Sequence, residues 1–124
     1  MCGIVGYVGP RQAAALLVEG LRRLEYRGYD SSGIAILNGQ GLVVVKQSGK
    51  LSALEQQLQD YTPKGTVGIG HTRWATHGPP TVTNAHPHTD QSGKIALIHN
   101  GIIENAGAIK KVLESEALQR TQKT

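Results

Sequence analysis

The sequence predicts an α+β domain, and three observations carry that expectation. Short β-branched runs stand apart from amphipathic stretches, and the two kinds are mixed along the chain. Asn38-Gly39-Gln40-Gly41 sits between two such runs and signals an antiparallel hairpin. At 124 residues there is room for one domain, and neither an internal repeat nor a domain boundary is visible.

Taken in order, residues 2–9 (CGIVGYVG) read as a buried strand starting almost at the N-terminus. Pro10 then stands where a first helical turn tolerates it. Ala13, Leu17, Leu21 and Leu24 give the apolar stripe of a helix ending near Arg23 or Leu24. The Gly-punctuated text of 26–33 (YRGYDSSG) reads as an elaborate polar loop. GIAIL (33–37) and LVVVK (42–46) form the arms of the hairpin.

Ser52 with Glu55 makes a capping box for a short helix, with Leu54 and Leu58 on one side. TVGIGHTRWAT (66–76) is a strand running into a polar loop. Residues 77–93, rich in Gly, Pro, Thr, Asn and His, form a long loop of a kind that is either functional or disordered. KIALIHNGII (94–103) is a fourth strand, broken by His99, Asn100 and Gly101. Asn105 caps a last helix whose inner face carries Ile109, Val112 and Leu113, and 114–124 reads as a frayed tail.

Composition narrows the class. Phe is absent and Trp occurs once, so the core is aliphatic side chains and Ala. The 16 Gly are roughly twice the average share. They imply tight turns or backbone that approaches something closely. One cysteine excludes an internal disulfide framework. No apolar run reaches a membrane span, and the first residues lack the basic start of a secretory signal, so a cytoplasmic domain with no membrane partner is expected. The net charge of +4 suits a nucleic-acid partner or an ordinary surface. Sparse aromatics and scattered Lys and Arg leave no stacking platform, so no nucleic-acid partner is expected.

Several residues can carry chemistry. Loss of Met1 would give Cys2 a free α-amine beside its own thiol. Such an amine titrates near about 7.7–8.0, so one residue holds nucleophile and general base together. Taken alone, a lone Cys at a strand start is more often a small buried hydrophobe. In His71-Thr72-Arg73-Trp74-Ala75-Thr76-His77-Gly78, Arg73 offers a planar fork for a carboxylate, Thr76 and His77 add hydrogen-bonding groups, and Trp74 can cover a small ligand. The same residues also fit a polar strand end with a packed Trp.

Asn100 and the Gly101 N–H, aimed the same way, would make a two-donor oxyanion hole; an Asn-Gly turn or bulge is the plain alternative. Arg27, in Arg27-Gly28-Tyr29-Asp30-Ser31, either buttresses the N-terminus or belongs to a hydrogen-bonded loop. His86-Pro87-His88 with His71 and His77 invites a zinc reading, but the spacing matches no standard ligand pattern. Neither a metal nor another cofactor is expected.

Together these pieces resemble a known family. MCGIVG, RRLEYRGYDSSGIA (22–35), HTRWATHG (71–78), NAHPH (84–88) and HNGIIEN (99–105) occur in the order found in the class II glutamine amidotransferase domain, an N-terminal-nucleophile fold. Their wording is similar to the glutamine–fructose-6-phosphate aminotransferase (isomerizing) family, over residues 1 to about 113. The resemblance implies an αββα sandwich of which only the first half is present. It implies Cys2 as nucleophile towards L-glutamine, Asn100 and Gly101 as the oxyanion hole, and Arg73 on the glutamine α-carboxylate. Thr76 and His77 fall in the substrate loop, Trp74 in its gate, and Arg27 supports the N-terminus.

In that family the ammonia passes to a sugar isomerase domain that aminates fructose 6-phosphate, and the full-length enzyme is a homodimer. Here the acidic S-x-T-D-T-E motif, whose Asp holds the substrate's α-amino group, does not occur. Residues 1–124 are therefore expected to be the N-terminal part of the amidotransferase domain, without the isomerase domains and with an apolar patch left exposed. Two readings follow: a glutaminase, or a truncated and inactive remnant of one.

Overall fold

The computed structural model describes residues 3–24, 30–73, 82–100 and 104–115. Cys2, Arg27, Trp74, Thr76, His77 and Gly101 lie outside the described residues, as does the tail from 116 onward. Within them the chain runs β1 (Gly3–Val8), α1 (Ala13–Leu24), β2 (Ser31–Asn38), β3 (Gly41–Ser48), α2 (Leu51–Asp60), β4 (Val67–Arg73), β5 (His88–Thr89), β6 (Ala96–Leu97) and α3 (Ala106–Ser115). The first four strands make one sheet in the order β1-β4-β2-β3, every neighbouring pair antiparallel. β5 and β6 pair antiparallel as a second, two-stranded sheet. The expected mixture of helices with antiparallel strands is what forms.

The hairpin closes as its sequence signals, with Asn38 paired to Gly41. The Asn38 side chain stitches this turn twice: its Oδ1 accepts the Gln40 N–H at 2.8 Å and its Nδ2 donates to the Lys64 carbonyl at 2.6 Å. α1 and α2 both lie on one face of the large sheet. Ala13, Ala14, Leu17 and Leu21 of α1 and Leu51, Leu54 and Leu58 of α2 meet Ile34, Ile36 and Val45 there. Each fully buried Leu or Ile stabilises by about 1.5–3 kcal/mol, so this face holds the sheet together. Gly68 decides how close α1 sits: a Cβ there would stand 2.8 Å from Leu17 Cδ1, closer than real side chains pack.

Six local expectations need correction. β1 is buried on one face only, because Ile4 and Val8 turn away from the helices and are exposed. Ser31, Ser32 and Gly33 belong to β2 rather than to a loop, since their backbones pair with β4 and with β3. Ser52 does not cap α2: the N-cap is Lys50, without a side-chain cap bond, and Glu55 reaches across to Arg22 Nη2 at 2.8 Å. The stretch 82–93 is not all loop, since it contains β5 and a buried run from Asn84 to His88. Of the described residues in the strand read over 94–103, only Ala96–Leu97 is strand, and Ile95 and Leu97 are exposed. In α3, Ile109 and Val112 are 42% and 58% exposed, so its apolar side is not an inner face.

Candidate functional site

Three strands deliver their ends to one edge of the large sheet. Gly3 stands opposite Thr72, Ser31 opposite Arg73, and Gly33 opposite His71. Alternation along β4 sends Thr72 to the helix face with Gly3 and Ser32, and turns His71, Arg73 and Gly33 to the other face. A helix covers the first face. The second is covered at this edge by the 84–88 segment. That approach requires Gly33, because any Cβ there would overlap the His86 carbonyl oxygen.

A ladder of imidazoles results. The His71 ring lies 4.4 Å from that of His86, tilted by 45°, and His86 lies 4.3 Å from His88, edge on. Burial holds all three below the usual histidine range, His71 and His88 to about 4 and His86 to about 3. The nearby cations Arg73 and Lys46 push each of them the same way for His86 and His88, and Arg73 does so for His71. Burial also lowers Lys46. The rings are therefore neutral near pH 7, packed rather than convergent. Among the described residues no group of three or more His, Cys, Asp or Glu is arranged to hold a metal ion.

Arg73 is 6% exposed, and its Nη1 donates to the Asn84 carbonyl at 3.3 Å. Its guanidinium is thus held against the backbone of the same segment that carries the imidazoles, on the face where β1 enters the sheet. Asn100 comes to this place from the far end of the chain. Its Oδ1 lies 2.6 Å from His71 Nε2. Two of the eight residues singled out from the sequence, Arg73 and Asn100, fall among the described ones, and the structure brings both to His71 on one face of β4. A cationic fork and an amide placed so can take a small molecule with a carboxylate at one end and a polarisable carbonyl at the other.

The sequence offers His71 only as a neighbour within a polar motif and as a member of a zinc reading that the spacing does not support, and Asn84 only as part of NAHPH. The signal for His71 was its spacing: two residues before Arg73 on a strand, it must share that residue's face. Nothing in the local sequence could point to Asn84, whose contribution is a backbone carbonyl. Among the described residues no helix is long and apolar enough to cross a membrane.

No family model matches the chain. The chain is 64% identical over 115 residues to a glutamine–fructose-6-phosphate aminotransferase [isomerizing] of Thermus thermophilus, covering 93% of this chain and 19% of that protein. It is 58% identical over 116 residues to the enzyme of the same name from Caldanaerobacter subterraneus, covering 94% and 19%. Among solved structures, it is similar to a glutamine phosphoribosylpyrophosphate amidotransferase from B. subtilis, with a TM-score of 0.81 and 28% identity, over 100% of this chain and 27% of that one. An allosteric regulatory enzyme of purine biosynthesis gives a TM-score of 0.82 at 30% identity, over 98% and 27%. The chain spans about a fifth of the length of the curated relatives it matches.

Proposed function

We propose that this chain, which is part of an N-terminal-nucleophile glutamine amidotransferase domain, releases ammonia from L-glutamine with Cys2 as the nucleophile. The observation that carries the reading is the placement of Arg73 and Asn100 around His71 at the edge where Gly3 leads β1 into the sheet. Arg73 takes the α-carboxylate of glutamine. Asn100, with Gly101, takes the oxygen of the side-chain amide. Thr76, His77 and Trp74 complete and cover the substrate loop, and Arg27 supports the N-terminus.

Removal of Met1 gives Cys2 its free α-amine, which accepts the thiol proton as Sγ bonds to the amide carbon. The C=O electron pair moves onto oxygen, where the two donors hold it. The C–N bond then breaks, and the nitrogen leaves as ammonia with the proton that the α-ammonium returns. Water adds to the remaining thioester, its proton again passing through the α-amine, and glutamate departs with Sγ–H restored. By the names of its relatives, the ammonia would serve amination of fructose 6-phosphate; the family resemblance adds glucosamine 6-phosphate as product, a homodimer of longer chains and a cytoplasmic setting. No metal and no cofactor enter these steps.

Covalent capture tests the reading. A glutamine-analogue diazo-ketone should label wild type at Cys2, label Cys2→Ala not at all, and be slowed by glutamine. Wild type left unlabelled with Met1 removed, or equal labelling of the variant, overturns it. One observation favours a second reading, an inactive remnant. Ile4, Val8, Leu37, Ile95 and Leu97 are exposed apolar side chains on or beside the uncovered part of the sheets. Cooperative unfolding with a midpoint raised by glutamine counts against that reading, since only a closed site gains stability from its ligand.

A further inference from the structure

We propose that His71 is a positioning residue for the amide of Asn100: its Nε2–H holds Oδ1 and so aims the NH2 group at the oxygen on which charge develops. The proposal rests on the reading of Asn100 as an oxyanion donor and extends it one residue inward.

An oxyanion hole works because its donors are already oriented before charge appears. Asn100 is poorly placed to orient itself. It is exposed and lies in the irregular stretch after β6, where a free amide would turn and exchange its two ends with water. An amide turned the wrong way offers a carbonyl oxygen, which repels an oxyanion instead of binding it. His71 supplies what Asn100 lacks. It is 0% exposed, sits in mid-sheet opposite Ile4 and Gly33, and has its ring fixed against His86. The 2.6 Å contact to Oδ1 is short, and the trigonal geometry of an amide then turns its NH2 away from His71.

The proton must be on Nε2 for this to work, and the surroundings place it there. His71 Nδ1 is buried without a hydrogen-bond partner. A buried N–H with no acceptor costs more than a bare lone pair, so the tautomer with Nε2–H is preferred. Burial keeps the ring neutral near pH 7, which also leaves it no spare proton to trade. His71 therefore orients a donor and does not itself act as acid or base. His86, held over Gly33, is in turn what keeps the His71 ring from tilting.

The test uses the whole gene product, with glutaminase kcat and KM measured on four variants. Asn100→Ala should lower kcat by about 10²- to 10³-fold. His71→Leu should lower it by about tenfold to a hundredfold, with KM for glutamine changed by less than about threefold, since ground-state binding rests on Arg73. His71→Gln, which restores an N–H donor, should recover most of the loss. His71→Leu/Asn100→Ala should be no slower than Asn100→Ala, because both changes remove one function. Absent wild-type activity, or an Asn100→Ala protein of normal kcat, overturns the oxyanion reading itself. A slow Asn100→Ala protein beside a normal His71→Leu protein, or losses that multiply in the double variant, overturns the positioning role alone. Should His71→Leu fail to fold, ¹⁵N spectra of wild type decide: a proton on Nε2 supports the proposal, and one on Nδ1 overturns it.

Discussion

Acid should loosen this protein well before its carboxylates titrate, and the imidazole ladder is the reason. His71 and His88 are held to about 4 and His86 to about 3, whereas in the unfolded chain each returns to its ordinary value of 6.5. Below that ordinary value the unfolded chain takes up protons that the folded one refuses. The contribution is thus fully present above about pH 6.5 and is lost as pH falls towards the folded values. One such histidine costs about 1.4 kcal/mol per pH unit, so His71 alone removes roughly 3 kcal/mol by pH 4. Three rings 4.3 to 4.4 Å apart do not titrate independently, since the first proton that opens the ladder wets the others. The slope should fall between about 1.4 and about 4 kcal/mol per pH unit, steep against a total of about 5–15 kcal/mol. Asp90, held low chiefly by Ser92 and by the Ile95 N–H, loses its contribution in a separate window below its ordinary value of 3.8. Urea midpoints measured at constant ionic strength from about pH 7.5 to pH 4.5 read the slope directly. His86→Gln should flatten it by about one proton. Equal midpoints at neutral pH and at about pH 5, with unchanged m, would refute the reasoning, because a buried neutral ladder cannot be indifferent to protons.

Two further outcomes follow from single positions. Gly33→Ala puts a methyl into the His86 carbonyl, so it should destabilise by about 1–3 kcal/mol, read as a lower thermal midpoint, and lower kcat by displacing the ladder that steadies His71. An unchanged midpoint would mean that the 84–88 segment does not lie on β2. Lys50→Asp should stabilise by about 1 kcal/mol in the same melts, since Lys50 has the extended backbone of an N-cap (φ −73, ψ 164) but offers no side-chain acceptor to α2. No gain would mean that the first turn of α2 is already satisfied.

The elements readable from the sequence were those whose partners lie within it. The stripe Ala13, Leu17 and Leu21 and the β-branched runs of β2 and β3 bury against one another, so periodicity and burial agree. Asn38 and Gly41 mark the hairpin because a two-residue turn has its own chemistry. Ser31 and Ser32 were misread because their text is that of a loop. They are strand only because Arg73 and Thr72 stand opposite, which is a long-range fact. The run 94–103 and the side of α3 carrying Ile109 erred the other way: an apolar pattern announces burial but does not supply the layer that would provide it. At the site, the side chains proposed to face a substrate, Arg73 and Asn100, could be named from their chemistry. His71 acts through another residue, and only the fold makes that visible.

The two faces of β4 divide the work, and the division explains why the site can be built from such poorly stabilising parts. On the helix face Gly68 and Gly70 lie under Leu17 and Leu21, and apolar burial there holds the strand's position. The other face then need not contribute stability of its own. It can keep three uncharged imidazoles with unpartnered nitrogens and a buried Arg73, each an expense in a core that had to support itself. It also gains spacing. His71 and Arg73, two residues apart on one strand face, stand about 6.5–7 Å apart along the sheet. In the roles proposed, that separates the anchor of the Asn100 amide from the carboxylate clamp by roughly the reach of one extended glutamine. A strand locked on one face is a ruler on the other, and a shift in its register by one residue would send both His71 and Arg73 into the helices.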